Sequence, residues 1–223
     1  MIRLGMIIAL FPVMFSCNNM PGIDITDREE MGHFQERVKD YISPDIQITE
    51  ISFFYRDEML PDIMRSLIIW YISPDDESKQ RVLNIDLSSN GLNGSWSVVS
   101  DEESGPGTRI LSRIRKSGEN IPVASIDDFD FTAVPSLIAQ AIEQMESMDY
   151  EYAGTEQVIL KSGNDPTQPV YQLLLRGKPT GAPEATKGKK PAVYYNDISF
   201  TINAEGEWKI EVDDRLKIKR GRI

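Results

Sequence analysis

Apolar positions along the chain change their period several times, and each change marks a predicted element. Residues 4–15 follow a single basic residue, Arg3, and carry no charge. That run is too short to span a bilayer, which takes about 20 apolar residues, but it has the length of a secretory leader's apolar region. From Thr26 the period becomes helical: Met31, Phe34, Val38, Tyr41 and Ile42 share one face, and Glu30, Gln35, Glu36 and Lys39 lie elsewhere. Thr26 with Glu29 three residues later predicts a capping box, and Ser43-Pro44 predicts the stop. Residues 46–55 read as a strand whose apolar phase slips between Ile48 and Ile51, which predicts a bulge. Residues 65–72 are apolar on both faces, with Leu67, Ile69 and Tyr71 on one and Ile68, Trp70 and Ile72 on the other. A turn at Ser73-Pro74-Asp75-Asp76 leads into residues 81–88, and Asn90-Gly91 or Asn93-Gly94 predicts a hairpin back through residues 95–99.

Residues 101–120 break the pattern with an acidic triplet, Gly105-Pro106-Gly107 and a basic piece. Beyond them Val134, Leu137, Ile138, Ala141, Ile142, Met145 and Met148 form the stripe of a second helix, with Pro135 in its first turn, where a missing N–H costs nothing. Four strands are predicted after it, at residues 156–162, 170–177, 193–203 and 207–213. The order is helix and four strands, twice. The expected fold class is therefore α+β, two tandem repeats of one helix packed on an antiparallel four-stranded sheet. The expected division is a leader at 1–17, a tether at 18–25, a first repeat at 26–100, a linker at 101–131 and a second repeat with a basic tail at 132–223.

Charge narrows the partners. With 24 Lys+Arg against 35 Asp+Glu the net charge of the 223 residues is −11, which argues against nucleic-acid binding, since that needs a basic footprint on phosphate. The lone cysteine, Cys17, excludes an intrachain disulfide framework. Lys187, Lys189 and Lys190 form a small basic loop, and Arg215, Lys217, Lys219, Arg220 and Arg222 a basic tail. Both read as solvated charge, and the tail has two alternatives: contact with anionic headgroups, or an edge strand guarded by lysine.

Candidate chemistry is sparse. His33 is the only histidine, so a catalytic triad or a histidine-rich zinc site has nothing to build on beside it. Asp127, Asp128 and Asp130 form the densest acidic cluster and read as caps ahead of the second helix, because Ala133-Val134-Pro135 interrupts any calcium-loop spacing. No catalytic residue, metal ligand or cofactor is expected.

Two resemblances give direction. Met14-Phe15-Ser16-Cys17 resembles the lipobox of bacterial lipoproteins of the Bacteroidota type, which implies a lipid on Cys17 and attachment of the mature chain to the membrane through it; the alternative is a leader in which Cys17 is incidental. The residues after it, Asn18-Asn19-Met20-Pro21, are not acidic, which implies the periplasmic face of the outer membrane rather than the cell surface. The element order resembles the tandem-repeat fold of the β-lactamase-inhibitor-protein type and the PepSY-like lipoproteins. That resemblance implies a non-enzymatic protein- or peptide-binding or inhibitory module acting through an aromatic sheet face. Trp70, Tyr71, Trp96, Tyr194 and Trp208 are the candidate partner-binding residues, although the simplest reading of each tryptophan is core. A glycan-binding lipoprotein or weak glycosidase is the alternative, and it requires a cleft with stacked tryptophan and two carboxylates. The sequence leaves the oligomeric state open.

Overall fold

A computed structural model of the chain describes residues 22–54, 62–87, 92, 94–104, 121–165, 167–181, 185–187, 190–213 and 217–220. The first half contains β1 (Ile23–Asp24), α1 (Arg28–Val38), β2 (Ile48–Phe54), β3 (Ile63–Met64), β4 (Ser66–Ser73), β5 (Asp76–Asp86) and β6 (Ser97–Glu103). The second contains α2 (Val134–Ser147), β7 (Tyr150–Lys161), β8 (Val170–Pro179), β9 (Ala185–Lys187), β10 (Lys190–Ile202), β11 (Trp208–Val212) and β12 (Lys217–Arg220). No described helix is long and apolar enough to cross a membrane. The predicted hairpin at Asn90-Gly91 and the basic piece at 109–116 lie outside the described residues, as does Cys17.

The expected pair of separate helix-on-four-strand repeats is not what forms. The described chain is mostly strand, and apart from the β1–β3 ribbon its strands make one ten-stranded antiparallel sheet, whose main path runs β11-β10-β8-β7-β2-β4-β5-β6. The first strand of each half is the reason. β2 and β7 pair antiparallel from Glu50 opposite Lys161 to Phe54 opposite Gln157, so two edges that separate sheets would leave unpaired satisfy each other. Both strands are also apolar toward the helices, and fusing them puts both halves over one core.

Register makes that core explicit. Ile85, Leu67, Phe53, Val158, Leu173 and Phe200 stand opposite one another in a single line across six strands, and every one is fully buried. The helices close over this line. Phe34 of α1 meets the Phe53 ring edge-on at 5.8 Å, and Phe131, just ahead of α2, meets it at 5.2 Å. Met145 of α2 reaches the face at Gly177, where a Cβ would come within 3.0 Å of its terminal methyl and 2.7 Å of Ile198 Cδ1. Gln35 ties the helical layer together: its amide donates to the Phe129 carbonyl and its oxygen accepts from the Phe131 N–H at 3.1 Å.

Local chemistry explains where the elements begin. The cap of α1 is Asp27 rather than the expected Thr26: its carboxylate accepts from the Glu29 and Glu30 amides at 2.8 and 3.0 Å, while Thr26 turns back to Asp24. A carboxylate also complements the positive helix end, which a hydroxyl does not. The phase slip in β2 is a register shift between Ile48 and Glu50, leaving Thr49 to bond the Trp70 carbonyl at 3.1 Å. Within the expected linker, Asp101 and Glu103 belong to β6, Ala124 pairs with Ile48, and Ile126, Phe129 and Phe131 are buried in the core. Part of the basic tail forms β12, which pairs with the beginning of β10.

Candidate functional site

Strand alternation gives every central strand a second face, pointing away from the helices. Two register lines define it. Asn84, Ile68, Ser52, Ile159, Gln172 and Thr201 form one; Asp86, Ser66, Phe54, Gln157, Leu174 and Ser199 form the next. A third, at one end, runs Val82, Trp70, Glu50, Lys161 and Val170. Phe54, Ile68, Trp70, Ile159 and Leu174 are each half-buried, and polar side chains separate them. Ser52 and Ser66 are buried between them because a short side chain lies below the tops of its neighbours.

Glu50 carries a charge at the Trp70 end of this face. It sits opposite Trp70 on one side and Lys161 on the other, 3.8 Å from the Lys161 ammonium, and accepts from Ser52 Oγ at 3.1 Å. Burial pushes its carboxyl above the usual range, and Lys161 pulls only partly against that shift.

The candidate aromatic residues do not share this surface. Trp70 lies on it. Tyr71 points to the helix side and is buried, donating to Asp101 Oδ1 at 2.8 Å and accepting from Arg81 Nε at 3.0 Å. Burial and the Asp101 charge raise its phenol. Trp96 is a core residue, stacked on Tyr41 at 5.4 Å and capped by the Arg37 guanidinium 4.4 Å above the ring. Trp208, at the β11 edge of the helix side, packs edge-on against Phe200 at 6.1 Å. Tyr194 occupies a register position in β10 opposite Ile218. The structure adds Phe54, Ile159 and Leu174 to the face that carries Trp70. Their alternation with Phe53, Val158 and Leu173 was legible, but the pairing of β2 with β7 that unites them was not.

Side chains with chemical potential are otherwise absorbed by structure. His33 is exposed on α1, 3.8 Å from Glu29. Asp128 caps Ser125 at 2.7 Å, Asp130 caps Thr132 at 2.9 Å, and Asp127 pairs with Lys39 at 2.7 Å. Tyr152 donates to Asp62, a neutral phenol raised by burial and by that carboxylate. Arg176, nearly buried, pairs with Glu156 at 2.9 Å and lies over the Tyr195 ring. Among the described residues, no group of three or more His, Cys, Asp or Glu is arranged to hold a metal ion. The chain matches no protein-family model, no curated protein and no solved structure.

Proposed function

We propose that the protein is exported, held in the cell envelope by a lipid on Cys17, and acts without catalysis by presenting the face opposite its helices to a protein or peptide. The observation that carries the reading is the half-buried apolar side chains Phe54, Ile68, Trp70, Ile159 and Leu174 on one sheet face, set among Ser52, Gln157, Gln172 and Asn84. Such a mixture suits a transient interface: apolar anchors supply most of the affinity, and the polar positions keep the free protein soluble. Glycan binding is the second reading, favoured by the Trp70 ring standing opposite the Glu50 carboxylate.

A photoreactive phenylalanine at position 70, expressed in the native cell, tests the reading. A cross-linked protein of discrete mass is expected there and not from the exposed helix position Gln140. Equal yields at the two positions, or no protein adduct at 70, would reject a protein partner. Attachment is tested separately by fractionating Cys17→Ala, which is expected to leave the membrane fraction.

A further inference from the structure

We propose that Glu50 and Trp70 form a receiving site for an arginine side chain of the protein met by the face opposite the helices. The inference deepens the binding reading above and rests on it, naming the chemistry of the partner. Its basis is the register line Val82, Trp70, Glu50 and Lys161 at one end of that face.

Glu50 is short of partners for a carboxylate so far out of water. Its side chain is only 14% exposed. A carboxylate has about four acceptor sites, and buried polar groups are as a rule satisfied. Among the described residues, Glu50 accepts one hydrogen bond to its side chain, from Ser52 Oγ at 3.1 Å. The Lys161 ammonium stands at 3.8 Å, beyond good hydrogen-bond reach, on a side chain 38% exposed. Burial accordingly outweighs Lys161 in its effect on the carboxyl. The site lacks a cation whose donors point in fixed directions.

Trp70 supplies the place for one. It stands directly opposite Glu50 in the β2–β4 pair, which sets the two Cβ atoms about 5 Å apart. Lys161 approaches Glu50 from β7, on the other side, so it does not separate the carboxylate from the ring. The indole is half-buried. Among the described residues, Arg37 lies over Trp96 and Arg176 over Tyr195, and no cation lies over Trp70.

A guanidinium meets both demands at once. Its plane stacks on the indole while its fork of N–H groups donates a pair of hydrogen bonds to the carboxylate; an ammonium has neither the plane nor the fork. Val82, half-buried on the far side of Trp70, gives the methylene stem an apolar neighbour. A sugar hydroxyl would stack and bond but leave the buried charge uncompensated, which favours arginine over a glycan at this pair.

The test titrates the purified, nitrogen-15-labelled chain with acetyl-Gly-Arg-Gly-amide and with the same peptide carrying citrulline, the uncharged isostere of arginine. The indole N–H resonances are followed, that of Trp70 being assigned by its absence in Trp70→Phe. The arginine peptide is expected to shift Trp70 with saturation in the millimolar range and to leave Trp96 and Trp208 unmoved. The citrulline peptide is expected to bind about tenfold more weakly, as is the arginine peptide to Glu50→Gln. Equal binding of the two peptides, binding indifferent to Glu50→Gln, or no shift at Trp70 would overturn the proposal. The citrulline comparison uses the unaltered chain, so it decides even where a variant fails to fold. A photoreactive phenylalanine at position 54, on the same face and away from the pair, reads the protein partner on its own. A discrete adduct there without arginine preference in the titration would leave the face a binding surface and overturn the arginine alone.

Discussion

Phe53 and Phe54 are neighbours in β2 with different surroundings. Phe53 is fully buried between two aromatic rings, in a register line of six apolar residues under both helices. Phe54 is half-buried in a line shared with Asp86, Ser66, Gln157 and Ser199. One strand thus serves two purposes through a two-residue period: one face closes the core, and the other is left mixed. The difference teaches that apolar residues on both faces of a strand do not by themselves mean that both faces are covered by the fold.

Truncation separates the faces most sharply. Phe53→Ala is expected to cost about 3–5 kcal/mol, because it opens a cavity in a closed core, whereas Phe54→Ala is expected to cost about 1 kcal/mol; urea unfolding of the pair measures both. Comparable losses would remove the distinction. Gln35→Ala comes next, at about 1–3 kcal/mol, since it strips a partner from the Phe131 amide and from the Phe129 carbonyl in the helical layer. Trp70→Ala is expected to change stability by no more than about 1 kcal/mol while weakening partner binding, so a large loss on unfolding would make Trp70 a core residue instead.

Glu50→Gln gives the smallest effect and a pH signature. A carboxyl whose pKa is raised on folding holds its proton more tightly in the native state. It therefore favours the fold below its unfolded pKa, and that contribution is lost as pH rises through the folded value. Removing the charge is expected to leave stability unchanged in acid and to raise it by up to about 1 kcal/mol at neutral pH, because Lys161 is partly exposed and tolerates loss of the pair. Unfolding curves of both chains across that pH range would read this, and a loss at neutral pH would mean that the ion pair dominates the desolvation.

Much of this was legible locally. The helical stripe of α2, the two-faced strand around Trp70 and the bulge in β2 all follow from spacing within one element. The cap of α1 was misplaced by one residue because Asp27 and Thr26 are both good caps, and the choice depends on Asp24 taking up Thr26. What did not follow was the joining of the halves. Nothing in residues 48–54 or 150–161 alone says that they pair, since each is equally able to edge its own sheet. Without that pairing, Ile159 and Leu174 belong to a different molecule-scale surface from Phe54 and Trp70. The aromatic candidates do not converge for a similar reason: Tyr71 falls on the helix side of β4, where it bonds Asp101 and Arg81, and packing of Phe34, Tyr41 and Arg37 draws Trp96 into the core.

The most direct test of the face opposite the helices as the working surface is carbene footprinting of the purified protein against the same protein in its native envelope. Val98 and Val99, exposed by 51% and 62% on the edge strand β6, serve as the internal standard. Phe54, Ile68, Trp70, Ile159 and Leu174 are expected to be labelled when the protein is free and protected together in the envelope, while the two valines keep their labelling. Equal labelling of the five residues in both settings would contradict the account.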